Sequence, residues 1–338
     1  MSAAASQTKL QPPQGAPAPA ASNTQGRPGG GRMKLASVVK GRLAKPLRVL
    51  MYGVEGVGKS TFAGSAPAPI FVGAEDGTSE LDVARFPEPS TWAEALEAIA
   101  ELTNAEHEYK TLVVDTLDWL EPLCWAHVCA TKKDRNGKPF KDIEDIGYGK
   151  GYAAALDEWR LFLAALDRLR AKRGVHVVLL AHSWIKGFKN PAGEDYDRYE
   201  LKLHAKAAGL MREWSDAVLF AQHETYTHER DGRVKGISTG ARVVFTQRTA
   251  AYDAKNRHDL PEKLPLDWEA FAEAVAAHRP ASPAELKAQI TELLESATDA
   301  TKQRVNTALA RVGDDAAQLA RIANKLAAEV SIQEGQTT

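Results

Sequence analysis

The chain has 338 residues, 44% of them hydrophobic and 26% charged, with a net charge of −1, which is room for one sizeable α/β domain with smaller appendages. No apolar run approaches the roughly 18 residues a membrane helix needs, and the Pro/Ala-rich N-terminal stretch lacks the apolar centre of a signal peptide, so neither class is expected. Cys124 and Cys129 fall within one expected helix without metal-ligand partners nearby and read as buried thiols, which makes the cytoplasm the expected location.

Residues 1–33 carry no apolar period and are expected to be a disordered arm. Lys9, Arg27, Arg32, Lys34, Lys40, Arg42, Lys45 and Arg48 precede the first acid, Glu55, leaving 35 basic against 44 acidic residues beyond them. A basic arm on an acidic body suits a nucleic-acid tether or a contact to a neighbouring subunit, and also a mere solubilising leader. Leu35, Val38 and Val39 form a short apolar segment before the core.

The core is expected over residues 34–279. Leu47–Tyr52, Ile70–Gly73, Thr111–Asp115 and Val175–His182 are short apolar runs that end in polar or glycine turns, as buried strands do. Helical patterns lie between them. Thr91 with Glu94 resembles a capping box ahead of Trp92, Ala95, Leu96, Ile99 and Leu102. A second apolar stripe runs through Tyr152, Leu156, Trp159, Leu163, Leu166 and Leu169. Strands alternating with helices predict an α/β fold with a mostly parallel central sheet flanked by helices. Ala217–Ala221 and Ala241–Gln247, around the turn-rich Glu229–Gly232, read as appended antiparallel strands. From Ser282, whose Pro283 suits a first helical position, Ala-rich patterns predict about three helices. These form a small C-terminal helical bundle over 280–332, ahead of a polar tail at 333–338.

The strongest signal is Gly53-Val54-Glu55-Gly56-Val57-Gly58-Lys59-Ser60, followed by Thr61, which fits the phosphate-binding pattern G-x-x-x-x-G-K-[ST] between a strand and a helix. Glycines let backbone N–H groups and the helix N-terminus face a triphosphate. Lys59 would reach the β- and γ-phosphates, and Ser60 would ligate Mg²⁺. Asp115, at the end of the strand Thr111–Asp115, is the expected second carrier of the metal, with the capping of the next helix as its plainer role. Glu75, just past the strand that follows the loop's helix, could orient or deprotonate water, with Asp76 as its rival. His182 ends the fourth strand, where it would face the ligand crevice and hydrogen-bond the γ-phosphate, or simply pack in the core.

Together with Phe71–Asp76, Leu112–Thr116, Val177–His182, Ile146–Tyr152 and Ala254–Arg257, this set resembles the RecA-like P-loop ATPases, most closely the phage-encoded members associated with single-strand DNA annealing and recombination. The resemblance spans about residues 45–275. It implies ATP with Mg²⁺, Glu75 as catalytic base, His182 as γ-phosphate sensor, and a homo-oligomeric ring or filament with ATP between subunits. Single-stranded DNA would be held by two loops, Thr131–Lys150 and Ser183 to about Lys206. Lys132, Lys133, Lys138, Lys150, Trp184, Lys186, Phe188, Lys189 and Arg198 are the contacts those loops offer. Neither loop is strongly basic, but aromatic residues among scattered cations suit single-strand binding. Lys255-Asn256-Arg257 resembles the pair with which related hexameric helicases reach a neighbour's γ-phosphate. A nucleotide-gated adaptor or helicase loader, whose C-terminal bundle grips a single-strand-binding or replication protein, and a small-molecule P-loop kinase are the rival readings.

Overall fold

A computed structural model describes residues 45–74, 77–230, 233–278 and 281–336; the expected N-terminal arm, Glu75 and Asp76 lie outside the described residues. The chain forms β1 (Arg48–Gly53), α1 (Lys59–Gly64), β2 (Pro69–Gly73), β3 (Ala84–Arg85), α2 (Trp92–Asn104), β4 (Thr111–Asp115) and α3 (Leu117–Thr131). It continues with α4 (Lys150–Arg173), β5 (His176–Phe188), β6 (Tyr196–Leu201), α5 (Ala205–Trp214), β7 (Ala217–Arg230) and β8 (Arg233–Phe245). After β9 (Lys255–Asn256), β10 (Lys263–Pro265) and α6 (Trp268–His278) come three C-terminal helices, α7 (Pro283–Glu295), α8 (Asp299–Val312) and α9 (Ala316–Gln336).

Sheet order is β10-β8-β7-β1-β5-β4-β2-β3, and every neighbouring pair from β7 to β3 is parallel. The expected α/β architecture is therefore the observed one. Alternation along each strand divides the core. Leu50, Tyr52, Val72, Val114, Leu179 and Phe220 pack beneath the helices of one face, and Val49, Met51, Phe71, Val113, Leu180 and Leu219 face the other. Such strands, covered on both faces, read as unbroken apolar runs, which is why they stand out in the sequence. Trp92 and Trp159 meet edge-on at 4.9 Å and lock α2 against α4. On the opposite face Phe62 of α1 lies 5.4 Å from Trp268 and 5.9 Å from Phe271, pinning the short phosphate-loop helix to α6.

Three expectations are corrected here. Ala217–Ala221 is not an antiparallel addition: this first part of β7 runs parallel to β1, and antiparallel pairing to β8 begins at Phe220. The strand expected to end at His182 runs on to Phe188, where its outer half leaves the main sheet and pairs antiparallel with β6. Ser183 to Lys206 is consequently a β-hairpin leading into α5 rather than a loop. At α2 the Thr91 side chain caps Glu94 as expected, while the Glu94 carboxylate reaches back chiefly to Ser90, accepting from its N–H (2.7 Å) and hydroxyl (2.9 Å).

The C-terminal helices have a core of their own, built from Leu286, Ile290, Val305, Leu319, Ala323 and Leu326. Ser282 and Glu285 form a reciprocal capping box ahead of Pro283. The helical pattern runs through Gln336, past the expected start of the tail.

Candidate nucleotide site

Parallel strands deliver their carboxyl ends to one edge of the sheet, and the P-loop residues collect there. Gly53 closes β1 with His182 of β5 as its register partner on one side and Ala221 of β7 on the other. The approach is so close that a Cβ on Gly53 would sit 2.1 Å from the Ala221 carbonyl oxygen. Gly58 caps α1 in the left-handed region (φ 104°), which aims the first N–H groups of that helix into the loop. Val57 and Phe62 are buried and anchor the turn from below, while Glu55 and Gly56 form its exposed lip.

Lys59, 6% exposed, curls over the loop with Nζ 3.0 Å from the Val54 carbonyl and 3.4 Å from that of Gly53. Ser60 donates its hydroxyl to Asp115 Oδ2 at 2.6 Å, across the width of β5, which lies between β1 and β4. Burial pushes the Asp115 carboxyl upward, against the pull of the Ser60 hydrogen bond and the Lys59 charge. A hydroxyl and a buried carboxylate in contact beside a lysine are the donor set Mg²⁺ takes with phosphate oxygens, so the residues fit Mg·ATP. Thr61, next in α1, is exposed.

His182 is buried. Its Nδ1 lies 2.9 Å from Asp118 Oδ2, and its backbone N–H donates to Asp118 Oδ1 at 2.9 Å. Burial alone would raise the Asp118 carboxyl, but these two hydrogen bonds leave it below its ordinary range. The histidine is thus held by both ends beside Gly53, between the columns that carry Lys59 and Asp115. Ala74 donates its N–H to the Asp115 carbonyl at 2.9 Å; Glu75, the residue after it, and Asp76 lie outside the described residues.

Two neighbours carried no sequence signal. Asp118 sits 64 positions from the histidine it grips. Arg242 of β8 approaches the loop so closely that a Cβ on Gly58 would lie 2.5 Å from its Nη1. Both belong to contacts made only when distant strands align.

The structure places Lys255 and Arg257 at the opposite, amino-terminal edge, since Lys255 pairs with Val218 and Asn256 with Ala217 at the start of β7. Lys255 Nζ donates to the carbonyls of Arg212 (3.0 Å), Glu213 (2.9 Å) and Ser215 (2.7 Å), closing the C-terminus of α5. Arg257 donates to Asp216 at 3.1 Å. Neither cation faces the P-loop of its own chain.

Among the expected DNA contacts, Lys132, Lys133, Lys138 and Lys150 are exposed on the irregular segment between α3 and α4 or at its end. Trp184, Lys186 and Phe188 alternate along one side of the β5–β6 hairpin, and Lys189 at its tip is ion-paired with Asp195. Arg198 is a correction. It is 3% exposed, its Nε lies 3.1 Å from Glu200, and its guanidinium lies 5.1 Å from the Phe188 ring, so on the face it shares with Lys186 it is packed under its neighbours rather than presented to a ligand.

A family model described as an AAA domain (AAA_24) matches residues 45–258, well over half of the chain. No curated protein matches significantly. Among solved structures, a RadB recombinase is similar over 60% of this chain and 80% of its own, with 14% identity and a TM-score of 0.34. No helix among the described residues is long and apolar enough to cross a membrane.

Proposed function

The chain belongs to the AAA-domain family over residues 45–258, and from that premise we propose that it is a Mg²⁺-dependent ATPase that binds single-stranded DNA in recombination or annealing. It acts as a homo-oligomer, ring or filament, with ATP between subunits. The observation that carries the nucleotide half of this reading is the 2.6 Å contact between Ser60 and Asp115 at the mouth of a glycine loop. Support for the DNA half is the hairpin that leaves the sheet just beyond His182, with Trp184 and Lys186 exposed along it.

In this mechanism the loop Gly53–Ser60 presents backbone N–H groups to the phosphates, and Lys59 exchanges its carbonyl contacts for the β- and γ-phosphate oxygens. When bound, Mg²⁺ supplies charge compensation across those oxygens. Ser60 and Asp115 hold the metal's place, Asp115 as a carboxylate despite its burial. Glu75 orients the attacking water. His182 registers the γ-phosphate while Asp118 holds its orientation, and the hairpin beyond it responds to phosphate loss. Lys255 and Arg257 act across the subunit interface, where cations offset charge developing in transfer.

The test is ATP turnover of wild type and Lys59→Ala, with and without an oligo(dT) strand, across protein concentration. Turnover that rises with both DNA and concentration, and vanishes in Lys59→Ala, is the expected result. Turnover of Lys59→Ala equal to wild type would refute the nucleotide half. Undiminished monomeric activity indifferent to DNA would refute the rest.

A further inference from the structure

Between the start of α3, the β5–β6 hairpin and the start of α5 lies a cavity of about 430 Å³ that the nucleotide site does not use. Pro122, Trp125 and Trp184 contribute its apolar walls, and Lys186, Lys202 and His204 its polar side. The wall behind it is an ordered aromatic layer. Trp125 meets Tyr152 edge-on (5.5 Å, 78°), and Tyr152 stacks flat on His204 (4.3 Å, 6°). His204 is fixed from the other side as well, because its backbone N–H donates to both Glu121 carboxylate oxygens at 3.1 and 3.0 Å.

Charge is arranged in layers. Asp118 and Glu121 line the cavity, but Asp118 is engaged by His182 and Glu121 by His204. Lys186 and Lys202 are exposed, with Lys186 Nζ 5.3 Å from the centre of the Trp184 ring. Burial, with the Lys206 and Lys186 charges behind it, lowers the His204 pKa, so its ring stays neutral and available for stacking at neutral pH. Flat aromatic walls under cations are what a nucleobase with its phosphates requires, and an aliphatic or acidic peptide side chain would use only one of the two.

We infer that this cavity receives one nucleobase of the bound single strand, stacked against Trp125 and Trp184, with the adjoining phosphates on Lys186 and Lys202. The inference rests on the single-strand DNA reading above and adds Trp125, Lys202 and His204 to the contacts legible in the sequence. Its placement gives it a consequence for the ATPase. Asp118 lines the base cavity and holds the buried His182 next to Gly53, so a base seated here touches the residue that orients the phosphate sensor.

The experiment uses the full chain with a non-hydrolysable ATP analogue and Mg²⁺, and two oligo(dT) probes. One carries a terminal fluorescein for anisotropy, the other a single internal 2-aminopurine whose fluorescence is quenched on stacking. Wild type is expected to bind the first and quench the second. Trp125→Ala should weaken binding roughly 5- to 100-fold and remove the quench, the range for losing one base–aromatic stack. Trp125→Phe keeps a ring against Tyr152 and should retain most of both signals, which separates lost stacking from lost packing. Lys202→Ala, at an exposed position, should lower the slope of log affinity against log salt by about 0.7, one single-strand phosphate. Equal binding and quenching by wild type and Trp125→Ala, or an unchanged salt slope in Lys202→Ala, overturns the base cavity and leaves single-strand binding standing. Failure of wild type to bind either probe in any nucleotide state overturns the DNA reading, and the cavity with it.

Discussion

Glu121 offers a test of the packing under the hairpin that needs neither nucleotide nor DNA. The residue is 6% exposed on α3, and its carboxyl is pushed up to about 7, first by burial and secondarily by the Asp118 charge, against the opposing hydrogen bonds from His204 N–H. Its ordinary value is 4.5, so the folded chain holds a proton there that the unfolded chain releases. The sign follows. Between about pH 4.5 and 7 the native state binds more protons, so this group's contribution to stability is complete below 4.5, falls as pH rises, and is exhausted above about 7. A shift of that size corresponds to at most about 3 kcal/mol between pH 4.5 and 8, at 1.36 kcal/mol per pH unit. Glu121→Gln keeps an oxygen for the His204 N–H and cannot ionise, so its stability should lack this slope. All seven tryptophans lie between Trp92 and Trp268, and none in α7–α9, so urea unfolding followed by tryptophan fluorescence reports the sheet and its helices alone. The variant should gain on wild type by about 2–3 kcal/mol on going from pH 5 to pH 8, most of it between pH 5 and 7. Parallel stability curves for the two proteins across that range would show that Glu121 is not buried and neutral.

Three further substitutions probe the nucleotide edge and the opposite edge. Gly58→Ala forces an L residue into φ 104° and a methyl against Arg242, so Mg·ATP affinity measured calorimetrically should fall about tenfold or more, with about 1–2 kcal/mol of backbone strain behind it. Asp118→Asn preserves shape but removes the charge that orients His182; turnover should drop about tenfold or more while ATP affinity changes little, and equal losses in both would assign Asp118 to binding instead. Lys255→Met removes a cation from three carbonyls at the end of α5 and should cost about 1–3 kcal/mol in urea unfolding. If Lys255 also works across an interface, the same variant should lose the rise of turnover with protein concentration, and a lower stability with that rise intact would confine it to the helix end.

What the sequence discloses and what it hides divide along the range of the interactions. The glycine loop, Asp115 at a strand end, and the long apolar stripe of α4 are each written within a few consecutive residues, so pattern alone locates them. Strand direction is not written that way. Val218, Leu219 and Phe220 would be apolar in either orientation, and only their register against Val49–Gly53 makes the start of β7 parallel. The hairpin beyond His182 did leave a trace. Unbroken apolar residues from Val177 to Ala181 give way to an alternation in which Trp184, Lys186 and Phe188 share one face, the change expected where a strand leaves a covered sheet.

The cations were the least legible, because a positive side chain declares its charge and never its partner. Arg198 reads as a surface residue until Glu200, two positions along the same strand face, and the Phe188 ring close over it. Lys255 and Arg257 sit at the amino end of strands whose carboxyl ends carry the P-loop, and six residues of β1 at about 3.3 Å each put some 20 Å between the two edges. No side chain spans that within one chain, so a role for this pair in ATP turnover demands a second copy, and demands that Lys255 leave the carbonyls that hold it. If the proposed trans role holds, the cost of that release falls on assembly rather than on ATP alone, because ATP bound at the carboxyl edge of the same chain touches neither cation.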